Sequence, residues 1–319
     1  MNENENYDVV VVGGGAAGLS GAVALARSRR SVLVVDAGDP RNAPAGHVHN
    51  FLSRDGTPPS ELFATGRAEV RRYAGQVEAS RVSALGRDGE RFGVQISTEA
   101  GPRTVAARRL LVATGVRDVL PDVPGLAARW GIDVLHCPYC HGWEVRDQRI
   151  GILSTGPAAV HQALLFQQLS PHVTLLRHTG PAPDAGQRAM LETLGVAIAD
   201  GEVEQIEAGP DGLTGVVLAG GGHLALDAVV VAPRVEARAE LLEPLGLKPT
   251  EILMDDHPVG TRIEADRTGA TAVPGVWVAG NLTDPMAQVM SAAAAGLMAG
   301  AAINFDLVLE QASRSPGRT

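Results

Sequence analysis

The first forty residues alternate between apolar runs and a helical pattern. Residues 7–12 and 31–36 are runs of mainly β-branched residues, and the segment between them, 16–29, spaces its apolar residues as a helix does. A run that is apolar throughout is typical of a strand buried on both faces of a sheet. The order strand, helix, strand with short joints therefore predicts a parallel β-α-β unit.

The same succession returns after residue 148. Strands are predicted at 149–153 and 172–177, on either side of a helix at 157–169, and short alternating strands with glycine-rich turns follow between 205 and 231. Two β-α-β units of this kind predict an α/β fold with two Rossmann-like, doubly wound nucleotide-binding domains.

The C-terminal segment contains one further strand, at 276–280, and an alanine-rich helix, but no β-α-β unit of its own. We therefore expect it to complete the first domain, with the second domain inserted in the first. The predicted boundaries are 1–118 with 246–319 for the first domain and 119–245 for the inserted domain.

A glycine-rich turn joins the first strand to the first helix. Gly13 allows a tight turn, Gly15 lets the backbone approach a pyrophosphate, and Gly18 lets the helix pack on the strand. The helix N-terminus attracts phosphate, and Asp36 at the end of the next strand would hold ribose hydroxyls. One such turn alone is weak evidence, but strand, helix and acid occur here in the required order. We predict a dinucleotide site formed by Gly13, Gly15, Ala16, Ala17, Gly18, Asp36 and Ala37.

Two later strand ends carry a second signal. Residues 112–115 and residues 275–281 would each, in isolation, be a strand that ends in a turn. In this order, after a dinucleotide turn, they resemble the second and third flavin signatures of flavoproteins with two dinucleotide domains. That resemblance implies non-covalently bound FAD, held also by Ala113, Thr114, Gly115, Gly280, Asn281, Gln288 and Val289.

The loop after the second strand is rich in polar residues, among them Arg41, Asn42, His49 and Asn50. We predict that this loop lies beside the flavin and that these four residues contribute to the cofactor site. A polar surface loop is an equally good interpretation.

The only two cysteines, Cys137 and Cys140, form a C-x-x-C motif between His136 and His141. Three chemistries use such a run: c-type haem attachment, zinc binding by the cysteines and flanking histidines, and a redox disulfide. Haem attachment occurs in exported proteins, and the N-terminus shows no secretory signal. Adjacent residues point in different directions, which disfavours a zinc tetrahedron. A redox disulfide needs only two thiols, and Pro138 would begin a short helix whose positive end lowers thiol pKa, so we favour the disulfide and predict no metal.

The dinucleotide turn, the two later signatures and the C-x-x-C motif make nearly the whole chain similar to the thioredoxin reductase family. The run Cys-Pro-Tyr-Cys-His-Gly-Trp-Glu, residues 137–144, resembles the branch of small-molecule dithiol oxidases of the gliotoxin and holomycin type. This resemblance implies that Cys137 exchanges with substrate thiols and that Cys140 faces the flavin. His141 stands where the reductases carry an aspartate, and it would take the proton of an incoming thiol. His136 is either a second catalytic histidine or a packed one.

Two departures from the reductase pattern bear on the cofactors. Asn281 stands where the family carries an aspartate that binds the ribityl chain, and it keeps a hydrogen-bonding group, so flavin binding should survive. In the second nucleotide unit, Ser154 replaces the turn glycine and Pro157 removes an N–H from the helix start. The basic cluster expected after the next strand is reduced to Arg177 and His178. We therefore expect a degenerate NAD(P)H site.

These features together predict an FAD-dependent dithiol oxidase. It would form an intramolecular disulfide in a small-molecule dithiol of the natural-product type through a redox disulfide between its two cysteines, with O2 as final acceptor giving H2O2. The alternatives are an NAD(P)H-dependent disulfide reductase of thioredoxin type and, from another class, a flavin-binding redox sensor.

The charge composition argues against some kinds of binding partner. The chain has 27 basic and 36 acidic residues, a formal charge of −9, so nucleic acid and anionic membrane surfaces are poor partners. The apolar stretch 289–303 is interpreted as a buried helix, too short and too weakly apolar to span a bilayer. We expect a cytoplasmic protein. The family resemblance implies a homodimer, for which the apolar C-terminal segment with Met290 and Met298 would supply the interface.

Overall fold

Residues 5–314 are described by a computed structural model. In chain order its helices are α1 (Ala16–Arg27), α2 (Pro59–Arg72), α3 (Pro138–His141), α4 (Ala158–Gln167), α5 (Ala185–Thr193) and α6 (Val289–Arg314). Its strands are β1 (Asn6–Val12), β2 (Val32–Asp36), β3 (Gln76–Ala79), β4 (Val82–Asp88), β5 (Arg91–Ile96), β6 (Arg103–Val112), β7 (Val116–Val119), β8 (Val134–Leu135), β9 (Ile150–Leu153), β10 (Val173–Leu176), β11 (Ala197–Ala199), β12 (Val203–Gly209), β13 (Gly212–Leu218), β14 (Gly222–Ala225), β15 (Ala228–Val231), β16 (Arg234–Ala237), β17 (Thr250–Met254), β18 (His257–Arg262) and β19 (Val276–Val278).

The first sheet is built around β1. It has the order β3-β2-β1-β6-β5-β4, and β19 pairs in parallel with the C-terminal part of β6. Val9, Val10 and Val11 are fully buried, because β1 lies between two strands and is covered on both faces. The strand predicted at 276–280 thus lies in the first sheet, whereas the C-terminal segment contains two further strands that were not predicted, β17 and β18, which lie in another sheet.

The second sheet is parallel throughout and has the order β11-β10-β9-β15-β8. Its central strand β9 pairs with β10 and β15, and Ile150 and Ile152 are fully buried against Phe166 of α4. The first sheet is parallel except for β5 and β4, which run antiparallel at one edge, and the second is parallel throughout. With the helices that connect the parallel strands, this arrangement confirms the predicted α/β class with two Rossmann-like units.

The chain crosses between these sheets twice, and the two crossings pair with each other. β7 runs antiparallel to β16 in a four-stranded sheet of the order β17-β18-β16-β7, and Val119 faces Arg234 across it. A separate three-stranded sheet, β12-β13-β14, is formed by the segment between β11 and β15, the last strand of the second sheet in the sequence. We retain 1–118 with 246–319, and 119–245, as the proposed domains.

The C-terminal helix α6 packs directly on α1. A Cβ on Gly296 would overlap the carbonyl oxygen of Ala17, and a Cβ on Gly300 would lie 2.7 Å from the carbonyl oxygen of Gly21. The alanine and glycine content of α6 therefore allows two helix backbones to meet closely.

The helix α6 is longer than expected, and an 18-residue window of it has a mean hydropathy of 1.6, so by length and composition alone it could cross a membrane. The expectation that it is too short to do so is wrong. The glycine contacts with α1 are those of a helix packed within a folded domain.

Candidate active site: a glycine cradle and a disulfide in one cavity

One cavity of about 1460 Å³ reaches from the first sheet to the C-x-x-C motif. Residues of both proposed domains line it. Of the residues predicted to hold a cofactor or act in catalysis, those that line it are Gly13, Gly15, Ala16, Ala17, Asp36, Ala37, Arg41, Asn42, His49, Ala113, Thr114, Gly115, His136, Cys137, Cys140, His141, Gly280, Asn281, Gln288 and Val289. Gly18 and Asn50 lie outside the lining.

The turn between β1 and α1 is shaped by its glycines. Gly13 has φ +103°, where a side chain is strained, and a Cβ there would overlap the carbonyl oxygen of Ala113. A Cβ on Gly15 would have no protein atom within 4 Å, so this position faces open cavity. Gly18 lies behind the turn, where a Cβ would overlap the carbonyl oxygen of Gly13. The backbone at Gly15 is thus open to a bound group, while Gly13 and Gly18 allow the turn itself.

Asp36 ends β2 beside this turn. Its Oδ1 accepts hydrogen bonds from the N–H groups of Gly14, at 3.1 Å, and Gly38, at 3.3 Å. The second oxygen, Oδ2, makes no hydrogen bond within residues 5–314, and the guanidinium of Arg67 lies 3.9 Å from it. Asp36 is therefore fixed through one oxygen and keeps the other for a hydroxyl pair such as that of a ribose.

The far end of the cavity is closed by the turn before α6. The side-chain Nδ2 of Asn281 lies 2.9–3.2 Å from the carbonyl oxygens of Asp284, Pro285 and Ala287, which it holds in place. Its Oδ1 accepts no hydrogen bond within residues 5–314. A carboxylate here would face three carbonyl oxygens, so the asparagine stabilises the turn and still offers one acceptor to a ligand hydroxyl.

The loop between β2 and α2 makes contacts that its polar composition did not reveal. Arg41 is bound by the Asp118 carboxylate and the Pro285 carbonyl oxygen, so its guanidinium is directed at the protein. Asn50 donates from Nδ2 to the carbonyl oxygen of Tyr139, at 2.6 Å. Asn50 therefore contacts the C-x-x-C helix rather than the cavity.

Cys137 and Cys140 form a disulfide, with their Cα atoms 5.3 Å apart. Pro138 begins the short helix α3, as predicted, and the N–H groups of Cys140 and His141 donate to the carbonyl oxygen of Cys137. Within the described range, no group of three or more histidine, cysteine or acidic side chains is arranged to hold a metal ion.

The two histidines that flank the motif differ in their surroundings. Burial, helped by the charge of Arg41, lowers the pKa of His136 to about 4. Its ring stacks on Trp130 with the centroids 5.8 Å apart, and Gln162 donates to its carbonyl oxygen. Burial also lowers the pKa of His141, but the carboxylate of Glu144 opposes that shift. His136 is thus packed as a neutral ring, and His141 is the histidine with an acidic neighbour.

In the second nucleotide unit, protein side chains fill the turn after β9. Ser154 is buried, and a Cβ on Gly180 would overlap its Oγ, so the serine side chain fills the space beside the end of β10. The φ angle of Ser154 is not in the left-handed region, so a serine at this position does not strain the backbone. Arg177 pairs with Asp200 at 2.6 Å, and His178 accepts from the N–H of Val203. The polar groups expected at an NAD(P)H phosphate are directed at the protein.

Four residues of the site were not foreseen: Asp118, Trp130, Glu144 and Gln162. Trp130 stacks on the His136 ring, and Gln162 donates a hydrogen bond to the His136 carbonyl oxygen. Asp118 holds the loop between β2 and α2 by its ion pair with Arg41. Only Glu144 had a signal in the sequence, since it lies one helical turn beyond His141.

Comparison with known proteins agrees with this geometry. Residues 7–299 match the model of the pyridine nucleotide-disulphide oxidoreductase family. The chain is 32% identical to thioredoxin reductase tcpT of Claviceps purpurea and 31% identical to thioredoxin reductase sirT of Leptosphaeria maculans, with 97% of each chain covered in both cases. The crystal structure of HlmI superposes with a TM-score of 0.88 at 44% identity, covering 98% of this chain and 96% of that one.

The match thus spans the first sheet, the second sheet and the C-x-x-C motif, and it confirms the resemblance noted in the sequence. The chain belongs to the pyridine nucleotide-disulphide oxidoreductases, within their thioredoxin reductase-like group, and is an oxidoreductase that acts on sulfur groups.

Proposed function

We propose that this protein is an FAD-dependent dithiol oxidase that closes an intramolecular disulfide in a small-molecule dithiol. The observation that carries the proposal is a contrast between the two nucleotide units. The first has an open glycine cradle in the same cavity as the Cys137–Cys140 disulfide, whereas the second has a filled turn and a paired arginine.

The first cradle fits FAD. The open backbone at Gly15 suits the pyrophosphate, the free oxygen of Asp36 suits the adenosine ribose, and Asn281 with Gln288 would lie along the ribityl chain and the flavin. When bound, FAD would supply the two-electron acceptor that restores the disulfide, and it would pass the electrons to O2 to give H2O2.

The side chains of the protein carry out the thiol exchange. His141 takes the proton of the first substrate thiol, and the resulting thiolate attacks Sγ of Cys137 while Cys140 leaves as a thiolate. The second substrate thiol loses its proton to solvent and attacks the substrate sulfur of the mixed disulfide, and Cys137 leaves as a thiolate. Two electrons pass from the substrate to the two cysteines, and the substrate leaves as a cyclic disulfide.

The names of the relatives favour a second candidate, a thioredoxin-type reductase driven by NAD(P)H. The residues of the second unit argue against it. Ser154 fills the turn, and Arg177 is held by Asp200, so a phosphate would have to displace an existing ion pair. Because the Asp200 side chain is 77% exposed, displacing this pair costs about 1 kcal/mol or less, so the filled turn at Ser154 carries more of the argument.

Rapid mixing without oxygen decides between the two. Purified protein saturated with FAD is mixed with NADPH, NADH or dithiothreitol, and the flavin absorbance is followed. We expect dithiothreitol to bleach the flavin within the turnover time, with both nicotinamide cofactors far slower. Bleaching by NADPH in milliseconds, with slow bleaching by the dithiol, would make the protein a reductase. Oxygen uptake with stoichiometric H2O2 in air completes the assignment.

We further propose a cytoplasmic homodimer. The side of α6 that does not face α1 exposes large apolar side chains, which a second copy would cover. They are Met290, Leu297, Met298, Phe305, Val308 and Leu309.

A further inference from the structure

The loop between β2 and α2 belongs to the first unit, yet its tip contacts the redox motif of the second. The side-chain Nδ2 of Asn50 donates to the carbonyl oxygen of Tyr139, at 2.6 Å, although the two residues are 89 positions apart. Beside this bond, Nε2 of His49 lies 3.4 Å from Oε1 of Glu144, in the turn that follows α3. The loop therefore reaches both α3 and the turn after it.

The carbonyl group of Tyr139 depends on this donor. Tyr139 lies in the four-residue helix α3, where the last carbonyl groups have no partner inside the helix. The N–H of Gly142 donates to Pro138, and no backbone N–H of the described chain donates to Tyr139. Asn50 therefore caps α3 from the other unit. The capped carbonyl belongs to the peptide group that contains the nitrogen of Cys140, so the hydrogen bond fixes the backbone of this cysteine.

The backbone of the loop tip is held by its own hydrogen bonds. The N–H of Val48 donates to the carbonyl oxygen of Thr57, and the N–H of Gly56 donates to that of Val48, both at 2.9 Å. Asn50 has φ +59°, in the left-handed region that asparagine tolerates, and its N–H donates to Oδ1 of Asp55 at 2.9 Å. The side chain that caps α3 thus extends from a fixed backbone.

We propose that Asn50 is the positioning residue that holds Cys140 in the cavity that contains the glycine cradle. The inference rests on the proposed function, in which FAD reoxidises the two cysteines. In that step the thiolates of Cys137 and Cys140 re-form their S–S bond, their two electrons pass to the flavin, and the flavin takes up one proton from solvent. The transfer requires close contact, and a cap supplied by the cradle-bearing unit keeps Cys140 at a fixed place relative to the cradle.

Asn50→Gly is the decisive variant. Glycine adopts the left-handed backbone freely, so the loop can keep its shape while it loses the side-chain donor. Asn50→Asp keeps the size of the side chain but cannot donate, and it should behave in the same way.

Ser53→Gly is the matched control. Ser53 lies in the same loop with φ +70°, its side chain is exposed, and it makes no side-chain hydrogen bond in the described chain. The two glycine variants gain similar freedom in the unfolded chain, so a difference between them reports the hydrogen bond to Tyr139.

The first measurement needs no flavin. Hydrogen exchange of the backbone amides of 137–147 is followed by mass spectrometry in the apoproteins. Loss of one net hydrogen bond should speed this exchange about two- to tenfold in Asn50→Gly and leave it unchanged in Ser53→Gly. Equal exchange in the wild type and both variants would overturn the inference.

The second measurement reports where Cys140 lies. In a Cys137→Ser background, the Cys140 thiolate beside oxidised flavin gives a long-wavelength charge-transfer absorbance. Because a displacement of about 1 Å is enough to uncouple reacting groups, we expect this band to weaken at least about twofold in Asn50→Gly at equal flavin occupancy, and to persist in Ser53→Gly.

The outcomes separate this inference from the proposed function. A full charge-transfer band in Asn50→Gly would overturn the positioning role, even if the wild type oxidises dithiols. A wild type that does not oxidise dithiols, with faster exchange and a weakened band in Asn50→Gly, would refute the proposed function and leave the positioning of Cys140 standing.

Discussion

The guanidinium of Arg41 binds both carboxylate oxygens of Asp118, at 2.6 and 2.9 Å, and its remaining terminal nitrogen donates to the carbonyl oxygen of Pro285. One side chain thereby ties together the loop after β2, the strand β7 and the turn before α6. The Asp118 side chain is only 8% exposed, so this is a largely buried ion pair.

Asp118→Asn should therefore be costly. It leaves the Arg41 charge without its partner in a poorly hydrated site, and we expect the free energy of unfolding to fall by about 2–4 kcal/mol. Asp200→Asn breaks the pair with Arg177, but the Asp200 side chain is 77% exposed, so its loss should cost about 1 kcal/mol or less. Urea unfolding of both variants measures the difference. Equal effects would show that the buried pair has no special role in the fold.

The glycine cradle makes a prediction about FAD. Gly13→Ala places a Cβ against the carbonyl oxygen of Ala113 at φ +103°, so the turn must move and flavin affinity should fall at least about tenfold. Gly156→Ala is the matched control, because a Cβ there meets no atom within 4 Å and the backbone is ordinary. Flavin fluorescence titration of the apoproteins compares them. Wild-type affinity in Gly13→Ala would mean that the cofactor does not use this turn.

The cysteines should be required for turnover but not for flavin binding. Cys137→Ser and Cys140→Ser each remove one partner of the disulfide, and the chain has no other sulfur nucleophile of the thiol type. We expect dithiol-dependent oxygen uptake to fall at least about a hundredfold in each, with the flavin absorbance retained. Turnover near wild type in either variant would mean that dithiols reduce the flavin directly.

His136 should make the fold sensitive to acid. Its pKa is about 4 in the folded protein and near 6.5 in an unfolded chain, so between these values only the unfolded chain takes up the proton. Stability from this residue is complete above pH 6.5 and is lost as the pH falls toward 4, by about 1.4 kcal/mol for each pH unit. In His136→Asn this part of the pH dependence should be absent. Denaturant unfolding at several pH values, compared between the two proteins, measures it; parallel curves would contradict the expectation.

The apolar face of α6 predicts how the oligomer can be broken. Phe305 is 63% exposed, and Phe305→Glu should convert a dimer into a 33 kDa monomer in sedimentation at micromolar concentration. Leu194→Glu, at the exposed apolar residue that follows α5, should leave the sedimentation unchanged. A wild type that sediments as a monomer, or a dimer that survives Phe305→Glu, would contradict the proposed interface.

Local patterns allowed much of the fold to be predicted. The runs at 7–12 and 31–36 became β1 and β2 because a continuous apolar run can be satisfied only inside a sheet. The turn at Gly13 was recognisable because its steric demand is met by glycine alone. The C-x-x-C motif was recognisable because both partners of the disulfide lie within four residues.

Contacts between distant segments could not be predicted in this way. Arg41 and Asp118 are separated by 77 residues, and nothing near either of them in sequence indicates the other. His49 and Glu144 meet only because the loop after β2 crosses to the second unit. The antiparallel strands β4 and β5 were missed as well, since their alternation is short and their pairing with β6 supplies the burial that the sequence pattern does not show.

The contact between α1 and α6 has a consequence for biosynthesis. The helix that begins at the dinucleotide turn is packed, at Ala17, by Gly296, so its packing waits for a segment that is synthesised much later. A nascent chain that lacks α6 would expose the apolar side of α1 and could not close its cradle. Contacts between segments so far apart in the sequence also form slowly, because a long loop must be closed first. Cofactor loading should therefore follow the synthesis and packing of α6. Premature termination within α6 should yield colourless, aggregation-prone protein, although the glycine turn and Asp36 are present.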